Sequence, residues 1–276
     1  MLGLRLGADA HVDDDGWLVR DLTVPVGLDG PPGILQGGLA AGVAAPVARL
    51  VDRFGAPLTR LRTRLHAPTP LGSTVQARVR AGDGPAHFVV ETHHDGRLLT
   101  SAEVELAGHD PAPLGLDLLE LATVPLPEPQ PQHAYPTCFV CGPDPEHPYG
   151  LHLHPRPGAA GTIVQPWIPA EGLGTDRDVD PVVLSAVLDC PTVWAAIEPI
   201  RAAGAIGALL AGFEVQHYRD VPVEEPVRVV ARFDAIDGRK VRARAAVLDE
   251  DGTCYALASA LHIAVQRIPQ GDVTPR

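Results

Sequence analysis

An apolar helical stretch near the N-terminus constrains the fold of this 276-residue chain more than any other segment. Between residues 37 and 54, apolar side chains recur at steps of three and four, which is the spacing of a buried helical stripe. The stripe consists of Leu39, Val43, Val47, Leu50, Val51 and Phe54. Five alanines and three glycines fill most of the remaining twelve positions, so little of this helix is suited to contact with water. A helix that is apolar all round must be enclosed by other elements.

Strand-like segments with a two-residue alternation surround this helix in the first half of the chain. They are residues 17–24, 58–65, 74–80, 87–93 and 98–106. The last two flank an Asp95-Gly96 pair, which is a strong signal for a tight hairpin. The first hundred residues therefore predict one long helix followed by an antiparallel meander.

The second half repeats this plan, which predicts an internal duplication. A second apolar helix is predicted over residues 181–197. Strands are predicted over residues 151–153, 162–168, 213–218, 227–235, 241–248 and 255–265. Residues 61–75 align with residues 213–227, because both contain a strand, a proline-bearing turn and a second strand.

A proline-rich segment separates the two halves. Four prolines alternate with other residues in 124–132, a pattern typical of an extended spacer. We therefore predict an α+β fold with an N-terminal domain over residues 1–123, a linker over 124–135 and a C-terminal domain over 136–276.

Charge and composition argue against several function classes. The formal net charge is −12, whereas nucleic-acid binding requires a basic surface. The sequence has no run of 18 apolar residues and no basic-then-apolar signal pattern, so no membrane association is predicted. Four cysteines in a chain of this length do not make a disulfide scaffold. These features predict a cytoplasmic protein.

Polar features at two places interrupt the apolar helices. Gly37 and Gly38 open the first helix, where unpaired backbone N–H groups form a corner suited to an anion or a carbonyl oxygen. A tight turn without a ligand is the alternative interpretation of the two glycines. Asp189 lies inside the second helix, and a buried carboxylate is costly unless it has a function or a partner such as Thr192.

Several short motifs resemble those of the hotdog-fold acyl-CoA thioesterases. Gln36-Gly37-Gly38 resembles the His-Gly-Gly that opens the hotdog helix, and residues 65–75 resemble the strand-turn-strand that follows it. Cys138-Phe-Val-Cys-Gly142 followed by Gly150-Leu151 resembles the lead-in of single-hotdog thioesterases, and Leu188-Asp189 is similar to their catalytic aspartate. The resemblance implies a double hotdog, two tandem domains that each have a long central helix wrapped by an antiparallel sheet.

The chain departs from that family pattern in a complementary way. The family has an acidic residue seven positions after the second glycine, but Ala45 stands there in this chain. Seven positions before Asp189 stands Val182 instead of glycine. The resemblance therefore implies one competent composite site, assembled from the first helix start and the second helix carboxylate, and one inactive site at Ala45 and Val182.

The resemblance also implies a chemical role for each residue of the composite site. Gly37 and Gly38 would polarise a thioester carbonyl, and Gln36 would add a side-chain N–H where relatives have histidine. Asp189 would act as general base or as nucleophile. The expected substrate is an acyl-CoA, and the expected site needs no cofactor beyond the CoA moiety of that substrate.

Other polar residues are candidates for contacts with such a substrate. His66 and Tyr218 align across the repeat and are predicted to line the cleft, with Thr192 as a further binding candidate. Arg60, Arg62 and Arg64 share a strand face that could meet CoA phosphates, although a solvated face is the simpler interpretation. These three arginines are the remaining candidates for substrate contact.

The cysteines allow a second type of site. Cys138 and Cys141 with nearby histidines could bind zinc, but the spacing is irregular and a structural turn is favoured, so no metal is expected. The histidines are His147, His152 and His154. Cys190 beside Asp189 could be a nucleophile, although packing in a helix interface is favoured.

Two further functions remain open from the sequence. The chain could be a non-catalytic acyl-CoA-binding or scaffold protein in which Asp189 is a relic. A hotdog hydratase is disfavoured, because such enzymes resemble one another in an aspartate followed five residues later by histidine, and this sequence has none. Pairing through the sheets into a homodimer would cover edge strands, and the sequence leaves this oligomeric state open.

Overall fold

The computed structural model describes residues 2–112, 117–129, 135–144, 146–147, 149–159, 161–175 and 177–269. The main element is one antiparallel sheet of eleven strands. Its strands are β1 (Arg5–Val12), β2 (Leu18–Thr23), β3 (Arg60–Leu65), β4 (Thr74–Ala81), β5 (His87–His94), β6 (Arg97–Glu105), β7 (Thr162–Trp167), β10 (Gly207–His217), β11 (Val227–Asp237), β12 (Lys240–Leu248) and β13 (Cys254–Val265). Two short strands, β8 (Gly174–Thr175) and β9 (Asp178–Val179), pair with each other.

Four α-helices lie between these strands in the described part of the chain. They are α1 (Gly37–Gly42), α2 (Ala44–Ala48), α3 (Pro181–Ala195) and α4 (Ile197–Ala202). Helices α1 and α2 pack on the strands of the first half, and α3 packs on β11, β12 and β13. The side chains between the helices and the sheet form the principal core. Within the described residues, no helix is both long and apolar enough to cross a membrane.

The order of strands in the sheet is symmetric about its centre. It runs β1-β2-β4-β5-β6-β3-β10-β13-β12-β11-β7, so each half places its strands in the reverse order of the other, with β1 as an addition. At the central seam Leu61 faces Val215, Arg62 faces Glu214 and Thr63 faces Phe213. A local two-fold axis at this seam relates residues 61–63 to residues 213–215. This is the same correspondence as in the repeat found in the sequence.

The first apolar helix differs from its prediction in length. It is interrupted after Gly42 and ends at Ala48, so the prediction of one helix reaching Phe54 is wrong. Pro46 has no N–H to donate to the carbonyl of Gly42, which removes one helical hydrogen bond at the interruption. Phe54 is 74% exposed, and the N–H of Phe54 donates to the carboxylate of Asp52 in a turn.

The second helix and most strands agree with their predictions. Helix α3 continues through Pro191, and the hairpin between β5 and β6 has positive φ angles at Asp95 and Gly96, as a tight Asp-Gly turn requires. Strand β1 was not predicted, because most of its side chains are exposed on both faces. Residues 151–153 form no strand, since Leu151 and Leu153 donate backbone hydrogen bonds to the Cys138–Cys141 turn instead.

The domain boundaries proposed from the sequence stay a prediction. Part of the predicted linker, residues 130–134, lies outside the described residues. Just before this segment, Leu118 and Leu121 pack with Val164 and Val230 of the second half. The end of the predicted first domain therefore contacts the sheet of the second.

Glycine allows the helices α1 and α3 to touch. A Cβ atom on Gly38 would overlap the carbonyl oxygen of Ser185 and lie 2.7 Å from the Cα atom of Ala186. A Cβ atom on Gly42 would lie 2.9 Å from the Cα atom of Val182. These two glycines, four residues apart on one face of α1, bring the backbones of both helices into contact. The contact places the start of α1 beside the middle of α3.

Candidate active site

The carboxylate of Asp189 is held against the start of α1. Asp189 lies in the middle of α3 and is only 6% exposed. Its Oδ2 atom accepts a hydrogen bond of 2.9 Å from the backbone N–H of Gly38 and one of 2.7 Å from Nε2 of Gln36. The structure therefore brings together Gln36, the Gly37-Gly38 pair and Asp189, the four residues that the sequence assigned to one composite site. Their chemical roles stay predictions.

Gln36 connects the two helices through both ends of its amide. Its Oε1 atom accepts from the N–H of Leu39 at 2.8 Å, which caps the first turn of α1. Its Nε2 atom donates to Asp189 at the same time. An amide can do both because it carries an acceptor and a donor group. Gln36 therefore fixes the position of the carboxylate relative to α1.

The two glycine N–H groups are in different states. The N–H of Gly38 already donates to Asp189, whereas the N–H of Gly37 makes no hydrogen bond to any residue that the structure describes. A Cβ atom on Gly37 would lie 2.9 Å from Oδ2 of Asp189, so glycine is needed for this close approach. In this state the N–H of Gly38 faces Asp189, and the role of the two N–H groups toward a ligand stays a prediction.

Burial dominates the electrostatics of Asp189. Loss of hydration raises the pKa of Asp189 to about 7, while the hydrogen bonds from Gly38 and Gln36 act in the opposite direction. The Oδ1 atom receives no hydrogen bond from the described part of the chain. Nε2 of His262 lies 3.9 Å from this Oδ1 atom. Burial lowers the pKa of His262 to about 4, so this imidazole is neutral near pH 7.

Thr192 binds the backbone of α3 and not the carboxylate of Asp189. Its hydroxyl donates to the backbone oxygen of Asp189 at 2.6 Å, so the same hydroxyl must accept from Nε2–H of His262 at 2.7 Å. Thr192 is completely buried and lies outside the lining of the cavity described below. The predictions that Thr192 partners the carboxylate or contacts a substrate are therefore wrong.

His262 is a residue of this site that the sequence analysis missed. It lies on the inward face of β13. The residues on that face are Cys254, Ala256, Ala258, Ala260, His262 and Ala264. A single histidine in a row of small apolar side chains was the available signal, because an isolated buried polar group needs a partner or a function.

An apolar cavity of about 300 Å³ opens beside Asp189. Gln36, Gly37 and Asp189 form a polar part of its wall. Most of the remaining wall is apolar and includes Ile34, Leu35, Leu65, Val193, Trp194 and Leu210. A cavity with this polarity suits an apolar chain that carries one polar group at the Asp189 end.

The predicted lining residues divide between two places. His66 lines the cavity, and its Nε2 atom forms a 2.8 Å hydrogen bond with Ser101. Tyr218 does not line it, since this side chain packs with Leu118 and Val230 in a separate cluster. The prediction for Tyr218 is therefore wrong. Tyr218 aligns with His66 in the sequence repeat, but the side chain at this position lines the cavity in the first half only.

The arginines of β3 are engaged at the central seam. Arg62 donates to Glu214 at 2.9 Å, and Arg60 forms a second ion pair with the same carboxylate. Both side chains are close to the local two-fold axis and none of the three predicted arginines lines the cavity. The ion pairs support a structural role for Arg60 and Arg62 on this face of the sheet.

The position of the predicted inactive site is lined by other residues than the site at Asp189. A second cavity of about 100 Å³ there is lined by Val43, Val47 and Val182, together with leucines of the N-terminal segment. Those leucines are Leu2, Leu4 and Leu6. The N–H of Val182 donates to the capping carboxylate of Asp180 at 2.7 Å, so it is not free for a ligand.

Three cysteines meet on the wall of the larger cavity. The Sγ atoms of Cys138, Cys141 and Cys190 all lie within 4.8 Å of one another. The histidines suggested by the sequence are not part of this cluster within the described residues. His152 donates to the backbone oxygen of Gly142, and Nδ1 of His147 accepts from a backbone N–H. The third member of the cluster is Cys190, which the sequence analysis assigned to packing, and not a histidine.

Comparison with solved structures identifies the fold. No protein-family model and no curated protein sequence matches the chain. A hot dog fold protein of unknown function from Alicyclobacillus acidocaldarius is similar at 16% identity over 97% of each chain, with a TM-score of 0.62. The acyl-CoA thioesterase II TesB2 from Mycobacterium marinum is 12% identical over 95% of this chain and 96% of that one, with a TM-score of 0.60. A pyran synthase domain of the sorangicin pathway is 13% identical over 96% and 98%, with a TM-score of 0.63.

These similarities establish a hotdog fold over nearly the whole chain. All three identities are below 20%, and the two neighbours with a functional name differ in that function, one being a thioesterase and the other a pyran synthase domain. The fold alone therefore does not define the activity, which has to be argued from the site.

Proposed function

We propose that the chain is a double-hotdog thioester hydrolase that acts on acyl-CoA at one composite site. The observation that carries the proposal is the contact between Asp189 and the start of α1, beside an apolar cavity. The symmetric strand order and the register at the β3–β10 seam support two hotdog units in one chain. The name of the Mycobacterium marinum neighbour supports the substrate class.

The acyl group binds in the apolar cavity with its carbonyl oxygen at the N–H of Gly37. This donor stabilises the negative charge that develops on the oxygen in the transition state, an effect of about 3 kcal/mol per donor. The Oδ1 atom of Asp189, which has no hydrogen bond within the described residues, activates a water molecule or attacks the carbonyl carbon. Gln36 and Gly38 hold Oδ2 and so position the carboxylate for this step.

A binding protein without catalysis is the second candidate. The observation that favours it is the hydrogen bond from Gly38 to Asp189, which occupies one of the two N–H groups expected to polarise the carbonyl. A site with one free donor would bind an acyl-CoA and stabilise the transition state less than a two-donor site.

Thiol release from a panel of short, long and aromatic acyl-CoA esters tests the proposal. We expect turnover in the wild type and a loss of about 100-fold or more in Asp189→Asn, because the amide can neither accept the proton of water nor attack. Asp180→Asn is the matched control, because Asp180 is a half-buried aspartate at the start of α3 and asparagine caps helices equally well.

The same experiment distinguishes the two candidates. Equal turnover in Asp189→Asn and wild type would contradict the proposed site. No turnover in the wild type on any ester, with thermal stabilisation by CoA esters, would establish the binding protein instead.

A further inference from the structure

The cysteine cluster on the cavity wall has the dimensions of a metal site. The Sγ atom of Cys138 lies 3.5 Å from that of Cys141 and 3.6 Å from that of Cys190. Zinc–sulfur bonds of about 2.3 Å in tetrahedral geometry place two ligand sulfurs about 3.8 Å apart. Two of the three sulfur separations are therefore close to the value that a single zinc ion imposes, and the third is no more than 4.8 Å. No disulfide joins any two of these cysteines.

The turn that carries two of the cysteines is tightly built. The N–H of Gly142 donates to the carbonyl of Cys138 at 2.8 Å. A Cβ atom at Gly142 would lie 2.5 Å from the carbonyl oxygen of Pro136, so only glycine fits. The turn brings Cys138 and Cys141, spaced as Cys-x-x-Cys, to the same side, which is the arrangement that supplies two ligands in many zinc sites.

Two of the three sulfurs, those of Cys141 and Cys190, are approached by side-chain N–H donors. Nε1–H of Trp194 points at Sγ of Cys141 at 3.4 Å, and Nε2–H of Gln36 lies 3.5 Å from Sγ of Cys190. Donors around buried sulfur suit thiolates, which only accept hydrogen bonds, and a buried group of thiolates needs a cation to offset their charge.

We infer that Cys138, Cys141 and Cys190 bind one Zn²⁺ ion as three thiolates. Binding releases the three S–H protons to solvent and leaves a net charge of one negative unit on the complex. All three cysteines line the larger cavity, so the fourth coordination position faces that cavity and is open to water. The ion joins the 138–141 turn to α3 at the residue next to Asp189. The inference stands whether or not the neighbouring site hydrolyses thioesters.

Metal content of the untagged protein, purified in the presence of zinc and a reductant, tests the inference. We expect about one zinc per chain, and release of that zinc when a thiol reagent modifies the cysteines. Cobalt added to the metal-free protein should produce thiolate-to-cobalt charge-transfer absorption with tetrahedral visible bands. These measurements use the wild type and do not depend on the folding of any variant.

Matched variants locate the ion. Cys190→Ser should lower the metal content and weaken cobalt binding at least tenfold, whereas Cys254→Ala should leave both unchanged because Cys254 lies in a separate cluster. Four freely titrating thiols with no bound metal would overturn the inference. A reductant-sensitive pair of blocked thiols without metal would overturn it in favour of a disulfide, as would full metal content in Cys190→Ser in favour of another site.

Discussion

At the scale of single residues, the candidate site depends on groups that have more than one partner. Gln36 caps α1 through its oxygen and holds Asp189 through its nitrogen, so the same side chain contributes to stability and to the position of the carboxylate. Asp189 in turn has one oxygen held and the other without a hydrogen bond in the described part of the chain. Substitution of either residue therefore changes both the stability of the fold and the position of the carboxylate, and the two effects have to be measured separately.

The energetic coupling between Gln36 and Asp189 is the first prediction at this scale. Gln36→Ala removes a helix cap, worth about 1 kcal/mol, and a hydrogen bond to a buried carboxylate, worth about 1.5–3 kcal/mol. In a background of Asp189→Ala only the cap is lost. A double-mutant cycle of unfolding free energies in urea should therefore give a coupling of about 1–3 kcal/mol. Strictly additive changes would mean that the 2.7 Å contact does not contribute.

Buried His217 predicts a dependence of stability on pH. It lies at the end of β10, its Nε2 atom is buried without a hydrogen bond in the described residues, and burial lowers its pKa from 6.5 to about 3. Between pH 6.5 and about 3, His217 binds a proton in the unfolded chain but stays neutral in the folded chain. The contribution of neutral, buried His217 to stability is therefore full above pH 6.5 and is lost as the pH falls towards 3.

Urea unfolding at several pH values measures this effect. The wild type should lose about 1.4 kcal/mol more per pH unit below 6.5 than His217→Phe, in which the titrating group is absent. Both proteins should have the same slope above pH 7. Parallel curves over the whole range would show that His217 is protonated as easily in the folded protein as in the unfolded chain.

At the scale of elements, the contact between α1 and α3 builds the site. Gly38 and Gly42 remove the side chains that would separate the two helix backbones, and this brings the first-turn N–H groups within reach of Asp189. Pro46 shortens the first helix, whereas α3 continues as one helix of 15 residues through Pro191. The site therefore needs only the first turn of α1 and the middle of α3.

Gly38→Ala tests the close contact. The added Cβ atom would meet backbone atoms of Ser185 and Ala186, which cannot rotate away as a side chain can, so we expect a loss of about 3 kcal/mol or more in unfolding free energy. Gly172→Ala is the control, because nothing lies within 4 Å of a Cβ atom at that position. Melting temperatures of both variants check the prediction, and similar values would argue against the helix contact.

Patterns along one element were predictable from the sequence, and contacts between distant elements were less so. Alternation located β4, β5, β11 and β12 to within a few residues, because one face of each strand is buried. The pairing of Gln36 and Gly38 with Asp189 was suggested only by a resemblance to a family. The third cysteine of the cluster and His262 join the site through packing of distant segments, and no local spacing records such a contact.

At the scale of the whole molecule, the sheet is symmetric about its centre, but the two cavities beside the helices have different linings. The strand order and the seam between Arg62 and Glu214 are symmetric. The larger cavity is lined by Asp189, whereas the smaller one is lined by leucines of the N-terminal segment and by the capping residue Asp180. Both sheet edges, β1 and β7, remain without a further strand partner among the described residues. Pairing of two chains through their sheets stays a prediction.

The asymmetry predicts that a carboxylate cannot simply be restored in the second half. Ala45 stands at the position that corresponds to Asp189 and is 5% exposed, so aspartate there would be buried. The N–H of Val182, which corresponds to that of Gly38, already donates to Asp180 and cannot stabilise the new charge. An unpaired buried polar group costs about 2 kcal/mol or more, and a charged one costs more still.

We therefore expect Ala45→Asp to lower the unfolding free energy by several kcal/mol at pH 7 without a gain in thioester turnover per chain. Ala45→Asn is the control for the added volume, and it should lose less stability because it introduces no charge. Urea unfolding and thiol release measure the two consequences on the same preparations. A stable Ala45→Asp variant with raised turnover would contradict this expectation. It would show that the second cleft is functional and lacks activity only because a carboxylate is missing.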